Sequence, residues 1–214
     1  MDRKKKNIAI VAGGDSSEYE ISIGTAQNIL HALDSEKYNA NIVEIKKGEW
    51  KVWGQEGRRF DINRHDFSAQ LNGSVYSFDG VINAIHGTPG ENGILQAYFD
   101  LMGIPYTGCD SFCSSLTFNK YACNNFLAQL GITVAPSFLA RANMKIDTGK
   151  IEKTVGFPCF IKPNNGGSSC GTSRVTTRAH STRTSTTRSM ARMTTSFRTM
   201  RGSVLMKPTF SAPS

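Results

Sequence analysis

Short apolar segments alternate with amphipathic ones over the first 130 residues of this chain. Asn7–Ala12, Asn41–Ile45 and Phe78–Ile85 have the continuous apolar character of strands that are buried on both faces. Helical spacing of apolar residues follows the first strand and returns over Asn92–Met102 and Asn119–Leu130. Strands that alternate with helices predict an α/β fold built on a doubly wound parallel sheet.

Ligands of such sheets bind beyond the carboxyl ends of the strands, where this chain has two polar loops. Glu18 follows the first loop, Gly13–Ser17. A carboxylate at that place either stabilises the start of a helix or receives the ammonium group of a small amino acid. His86 opens the second loop, His86–Gly93, whose glycines let the backbone approach a ligand closely. We therefore interpret His86 as a site residue.

A third glycine-rich segment lies at Gly156–Gly171. Its apolar beginning predicts a strand that brings a lysine to the mouth of a loop, where backbone amides and hydroxyl groups can surround an anion. The residues that would contact a nucleotide phosphate there are Lys162, Gly166, Gly167, Ser168 and Ser169. The same composition suits a flexible linker. No Lys-Ser or Lys-Thr pair follows Gly171, which excludes a P-loop, and the glycine spacing does not fit a Rossmann motif.

The positive charge of the chain is concentrated in residues 176–214. The whole chain carries 25 Lys and Arg against 17 Asp and Glu, a net charge of +8, yet residues 176–214 contain six Arg, one Lys and no acidic residue. This Ser- and Thr-rich segment has no helical or alternating apolar pattern, which predicts disorder. An Arg-rich arm that binds nucleic acid is one alternative, and translation in a shifted reading frame is another. We expect no nucleic-acid partner.

Several classes of protein are excluded by other features. No apolar run reaches the length of a membrane span, so we expect no membrane partner, and the run after the charged start is too short for a signal peptide. Five cysteines, an odd number without metal-type spacing, predict reduced thiols in a cytoplasmic protein and no metal site.

Four separated segments resemble, in this order, the D-alanine–D-alanine ligases of the ATP-grasp family: Ala12–Ser22, Ile85–Gly93, Leu101–Gly108 and Phe160–Gly171. The resemblance covers about residues 4–175. It implies an N-terminal α/β substrate-binding domain over residues 1–130 and the beginning of an ATP-grasp central domain over residues 131–175. Residues 176–214 follow as a low-complexity basic tail.

The resemblance also implies a reaction and a role for each site residue. ATP would phosphorylate one D-alanine, and the amine of a second would displace the phosphate, which makes a precursor of peptidoglycan. Glu18 would bind the ammonium group of the first D-alanine, and His86 would hold its carboxylate. Lys120 and Lys162 would contact the phosphates of ATP, while Ser168 would hydrogen-bond to Glu18 and close the site. ATP and Mg²⁺ are the implied cofactors, D-alanine is the implied substrate, and a family-type homodimer is compatible with the resemblance.

The resemblance stops after Val175. The family would continue with the carboxylates that hold Mg²⁺, but no acidic residue follows Glu152. We therefore expect a truncated or frameshifted chain that is inactive alone. Two other hypotheses stay open: a non-catalytic fragment that binds a D-amino acid weakly, and a nucleic-acid binder that acts through its basic tail.

Overall fold

The structure is a computed structural model of the 214-residue chain, and it describes residues 4–71, 73–141, 147–167, 171–176 and, as backbone, 203–208. The chain forms two compact units, Met1–Ser115 and Leu116–Ser214. No helix within the described residues is both long and apolar enough to cross a membrane. The four cysteines of the described part are free thiols, as the sequence predicts, and Cys170 lies outside it.

The first unit is built on a seven-stranded sheet whose order is β6-β5-β4-β3-β2-β1-β7. In chain order the strands are β1 (Lys6–Gly13), β2 (Tyr38–Lys46), β3 (Glu49–Trp53), β4 (Arg59–Asn63), β5 (Ser68–Leu71), β6 (Ser74–Tyr76) and β7 (Gly80–Asn83). A 3-10 turn spans Gln55–Gly57. The helices are α1 (Tyr19–Ala32) and α2 (Ile94–Met102), and α3 (Ser111–Phe118) crosses the boundary of the unit.

The middle of this sheet is parallel, because β1 pairs in parallel with both β2 and β7. Side chains of β1 alternate between two faces. Ile10 and Ala12 pack in a cluster with Ala26 of α1, while Ala9 belongs to the cluster that contains Phe99 of α2. Helices therefore cover both faces, and the predicted doubly wound α/β sheet is confirmed.

The sheet departs from the prediction beyond β2. Strands β3 to β6 pair antiparallel, so the sheet as a whole is mixed and not purely parallel. Lys47 and Gly48, with φ angles of 48° and 82°, form the two-residue turn between β2 and β3. Val52 in β3 is fully buried. Trp50 packs against the same cluster as Val52, and Trp53 packs against the cluster that contains Ala26 of α1.

The second unit has a four-stranded sheet in the order β10-β9-β11-β8. Its elements are α4 (Lys120–Gln129), β8 (Phe138–Arg141), α5 (Thr148–Thr154), β9 (Cys159–Pro163), β10 (Ser173–Val175) and β11 (Ser203–Pro208). Helix α5 begins at Asp147, whose carboxylate accepts hydrogen bonds from the backbone nitrogens of Gly149 and Lys150. The buried core of this unit consists of Phe138, Ala140, Ile151, Val155, Cys159, Ile161 and Val175.

Two expectations for the second unit are wrong. Strand β11 lies in the segment predicted to have no regular structure, and it pairs antiparallel with both β8 and β9. Local sequence cannot reveal such a strand, because its partners lie more than 40 residues earlier in the chain. The helical spacing over Asn119–Leu130 predicts an inward apolar face that includes Phe126 and Leu130, yet these residues are 43% and 63% exposed. Helical spacing identifies an apolar face but not whether another element covers it.

Candidate functional site

The first loop is fastened to the ends of the neighbouring strands. Ser22, fully buried in α1, accepts a hydrogen bond from the backbone nitrogen of Gly13 at 2.8 Å and donates one to the carbonyl oxygen of Ala84 at 2.7 Å. The backbone nitrogen of Gly14 donates to the carbonyl oxygen of Ile45 at 2.7 Å. The carboxyl ends of β1, β2 and β7 are therefore joined into one rigid edge.

Glu18 and His86 meet at this edge. The hydroxyl of Ser16 accepts a hydrogen bond from the backbone nitrogen of Glu18 at 3.1 Å and donates one to the carbonyl oxygen of His86 at 2.7 Å. Gly87 has a φ of 79°, and a Cβ atom there would lie 2.8 Å from the Cβ of Ser16 and 3.8 Å from Oε2 of Glu18. The Glu18 carboxylate thus lies near the backbone of the second loop, and it is the Ser16 side chain that leaves no room for a Cβ atom at Gly87.

Glu18 does not cap α1 through a side-chain hydrogen bond. The residue stands at the N-cap position of α1, but its side chain makes no capping hydrogen bond. The carboxylate instead lies beside Gly87, at the carboxyl edge of the sheet. This position agrees with both explanations that the sequence left open, a carboxylate that stabilises the start of α1 and one that receives a ligand.

Two hydrogen bonds between Glu91 and Gly87 hold the second loop in a compact turn. The Glu91 carboxylate accepts a hydrogen bond from the backbone nitrogen of Gly87 at 2.9 Å, and the Glu91 backbone nitrogen donates to the carbonyl oxygen of Gly87 at 2.8 Å. The ring of His86, half-buried, has its Nε2 atom 3.3 Å from Oγ1 of Thr25 in α1. The backbone of this loop and the ring of His86 are therefore both held in place.

A carboxylate that the sequence analysis missed, Glu44 in β2, anchors the start of α1. The hydroxyl of Tyr19 donates to its Oε1 at 2.5 Å, and the indole nitrogen of Trp53 donates to its Oε2 at 2.9 Å. Arg59 forms an ion pair with Oε2 at 3.8 Å, and the ammonium of Lys46 lies 3.8 Å from the centre of the Tyr19 ring. Such charge-assisted bonds are the stronger ones in proteins.

This network changes the ionisation of two groups. Burial and the hydrogen bond to Glu44 raise the pKa of Tyr19 to about 12. Burial also acts to raise the pKa of Glu44, but the hydrogen bonds from Tyr19 and Trp53, with the nearby cations, lower that pKa below its ordinary value. Tyr19 directly follows Glu18, so the network holds the backbone that carries the Glu18 carboxylate. In the sequence, the available indication that Tyr19 supports the site was its position directly after Glu18.

In the second unit, Asn164 joins the glycine-rich loop to the start of α4. Only 2% of Asn164 is exposed. Its Oδ1 accepts a hydrogen bond from the backbone nitrogen of Tyr121 at 2.9 Å, and its Nδ2 donates to Oδ1 of Asn119 at 2.8 Å and to Oδ1 of Asn165 at 2.9 Å. Asn119 in turn caps α4 through the backbone nitrogen of Ala122 at 3.0 Å. The sequence analysis did not single out either asparagine.

Two lysines lie next to the segments that Asn164 connects, one at the start of α4 and one in β9. The ammonium of Lys120 donates to the carbonyl oxygens of Gly166 at 2.6 Å and Asn164 at 3.4 Å. Lys162 lies in β9, with its ammonium 5.8 Å from the centre of the Phe160 ring. Lys162 therefore precedes the loop in the chain, and Lys120 contacts the backbone of the loop directly.

The glycine-rich loop itself is described in part. Gly166 has a φ of 141° and Gly171 a φ of 72°, conformations that L side chains rarely adopt. Gly167 is exposed. Ser168 and Ser169, which the sequence analysis places against the phosphates, lie outside the described residues.

No metal-type cluster occurs among the residues that the structure describes: none of the His, Cys, Asp and Glu side chains there form a group of three or more that could hold an ion. The acidic residues of the sequence also end at Glu152. The donor set in the described part of the chain therefore suits anions, through lysines and backbone amides, and not a divalent cation.

Comparison with known proteins gives the same relatives at every level. The model of the D-ala D-ala ligase N-terminus matches residues 7–109, and that of the D-ala D-ala ligase C-terminus matches residues 126–190. The chain is 49% identical over 174 residues to a D-alanine–D-alanine ligase of Phocaeicola vulgatus, a match that covers 81% of this chain and 54% of that protein. It is 47% identical over 174 residues to the ligase of Flavobacterium johnsoniae, with the same coverage.

Solved structures agree in fold. D-alanyl-alanine synthetase A from Vibrio cholerae superposes with a TM-score of 0.80 and 28% identity, covering 98% of this chain and 60% of that one. The D-alanine–D-alanine ligase from Coxiella burnetii superposes with a TM-score of 0.80 and 25% identity, covering 97% and 62%. The chain spans about half the length of the curated relatives it matches. By sequence, by family model and by fold, the chain belongs to the D-alanine–D-alanine ligase family.

Proposed function

We propose that this chain serves the ATP-dependent joining of two D-alanines, with Glu18 and His86 as its contacts to the first D-alanine. The observation that carries the proposal is the position of the Glu18 carboxylate, at the carboxyl edge of the sheet and against the backbone of Gly87. A carboxylate there can accept hydrogen bonds from an ammonium group. His86 directly precedes Gly87 in the chain, so its imidazole is the group proposed to contact the substrate's carboxylate.

The phosphates of ATP are proposed to bind between the glycine-rich loop and the start of α4. Lys120 and Lys162 supply positive charge on two rigid elements, and the glycines leave backbone amides open to an anion. Lys120 now donates to two loop carbonyls, so phosphate binding would exchange these partners for phosphate oxygens. ATP would supply the phosphoryl group that activates the D-alanine carboxylate. Ser168 and Ser169 are proposed as further phosphate contacts, and Ser168 as the partner of Glu18.

Magnesium does not fit the described residues, because they offer no cluster of carboxylates. For the same reason we expect these 214 residues alone to release no phosphate from ATP in the presence of D-alanine and Mg²⁺. Turnover above that of a Lys162→Ala control would refute this expectation. The family reaction, its place in peptidoglycan synthesis, a cytoplasmic location and a homodimer belong to the same proposal.

Binding of D-alanine is the direct test, because it does not depend on turnover. We expect millimolar D-alanine to shift the backbone amide resonances of Gly87 and its neighbours in a saturable way. Glu18→Gln should weaken this binding at least tenfold, since a hydrogen bond to a charged group contributes about 1.5–3 kcal/mol. Glu20→Gln is the matched control, because Glu20 is exposed in the first turn of the same helix. Equal affinity of wild type and Glu18→Gln would remove Glu18 from the proposed site.

A further inference from the structure

Thr25 contacts two groups through one hydroxyl. Its Oγ1 atom lies 2.9 Å from the carbonyl oxygen of Ile21, one turn earlier in α1, and 3.3 Å from Nε2 of His86. A hydroxyl has one proton to donate and lone pairs with which to accept. The Ile21 carbonyl can only accept, so the Thr25 proton belongs to that bond. The contact with His86 is then a hydrogen bond only if Nε2 carries the proton.

We propose that Thr25 is a positioning residue that holds His86 in its Nε2-protonated tautomer. The other tautomer would set the Nε2 lone pair against the lone pairs of Oγ1, or would turn the hydroxyl away from Ile21. Either arrangement loses one hydrogen bond. The net worth of one such bond corresponds to a ratio of about five to one between the tautomers.

The backbone around the pair makes this assignment rigid. Ser16 fixes the carbonyl of His86 at 2.7 Å, and Ser22, one turn before Thr25 on the same side of α1, fixes the carbonyl of Ala84 at 2.7 Å. Three hydroxyl groups from the first loop and α1 therefore hold the chain from Ala84 to His86. Of the three, the hydroxyl of Thr25 contacts the His86 ring.

The consequence concerns the ring atom that His86 presents to a ligand. With Nε2–H committed to Thr25, the remaining ring nitrogen is Nδ1. In a neutral ring Nδ1 is an acceptor, which suits an ammonium or hydroxyl group of a ligand. A carboxylate can be held at Nδ1 only by a ring that carries both protons. This part of the inference rests on the proposed function.

Ring-nitrogen NMR of the ¹⁵N-labelled chain without ligand tests the tautomer. The spectra are recorded at a pH of about 9, where imidazoles are neutral, and the His86 signals are identified by their loss in His86→Gln. We expect Nε2 to be protonated and Nδ1 to carry the lone pair in wild type. Thr25→Val, which keeps the shape and removes the hydroxyl, should lower the tautomer ratio about fivefold, and Thr25→Ser should restore it.

A protonated Nδ1 in the wild-type spectrum would overturn the proposal, and that measurement needs no variant to fold. An unchanged tautomer ratio in Thr25→Val, with backbone amide spectra that match wild type, would overturn it as well. Adding D-alanine to wild type tests the proposed function separately. If the ring nitrogens of His86 do not respond to saturating D-alanine, the substrate role of His86 fails while the tautomer assignment stands.

Discussion

Replacing Asn164 by alanine should be among the most damaging single changes in the second unit. The side chain is 2% exposed and makes three hydrogen bonds, to the backbone nitrogen of Tyr121 and to the amide oxygens of Asn119 and Asn165. Alanine keeps none of them. The substitution removes the side-chain bonds between the glycine-rich loop and the start of α4 and leaves the Lys120 bonds to the carbonyls of Asn164 and Gly166.

The magnitude follows from counting bonds. A hydrogen bond contributes about 1 kcal/mol net to stability, so three amount to about 3 kcal/mol. With an m-value of about 2 kcal/mol/M in urea, the unfolding midpoint should fall by roughly 1.5 M. Protection of the Tyr121 backbone amide against hydrogen exchange should fall by about a hundredfold, because each 1.4 kcal/mol corresponds to a factor of ten.

Asn125→Ala is the matched control for Asn164→Ala. Asn125 is exposed in α4, and its Nδ2 donates to the carbonyl oxygen of Tyr121 at 2.7 Å. Losing that exposed bond is offset by the higher helix propensity of alanine, so the midpoint should change little. Urea titrations followed by circular dichroism measure both variants. If Asn164→Ala unfolds at the same urea concentration as Asn125→Ala, the asparagine does not hold the loop and the reasoning is wrong.

Three further predictions concern the first unit. Gly87→Ala should lower the free energy of unfolding by at least about 2 kcal/mol more than Gly48→Ala: both glycines have φ near 80°, but a Cβ meets a neighbour within 3 Å only at Gly87. Tyr19→Phe should lower the free energy of unfolding by about 1.5–3 kcal/mol, and Tyr98→Phe by about 1 kcal/mol. The reason is that Tyr19 donates to a carboxylate and Tyr98 to a backbone carbonyl. Equal losses would count against a charge-assisted bond at Tyr19. Because the pKa of Tyr19 is raised to about 12, its contribution to stability should be complete below pH 10 and lost as the pH rises towards 12. Tyrosinate absorbance and denaturant titrations should show a larger loss of stability over this pH range in wild type than in Tyr19→Phe, which keeps the raised pKa values of Tyr76, Tyr98 and Tyr106.

The parts of the fold that were predictable from sequence are those with long apolar periodicity. Strands β1 and β2 and helices α1 and α2 have buried faces several residues long, and a parallel topology then brings the Glu18 and His86 loops to one edge. Helix α3 escaped prediction, because a short element with few buried residues has no distinctive periodicity.

The supporting contacts of the candidate site were not predictable. Ser22 bonds to a carbonyl 62 residues away, and Asn164 bonds to a helix start 43 residues away. Their partners are backbone groups or polar side chains whose positions depend on the completed fold. A serine or asparagine that makes such bonds has the same local sequence context as one that points into water.

The pairing of β11 on both sides has a consequence for the behaviour of shortened chains. A variant without residues 203–208 would leave β8 and β9 each with a row of unsatisfied backbone donors and acceptors. Exposed rows of this kind are templates for intermolecular sheet formation. Six residues from the basic segment thus separate a continuous four-stranded sheet from a species prone to aggregate.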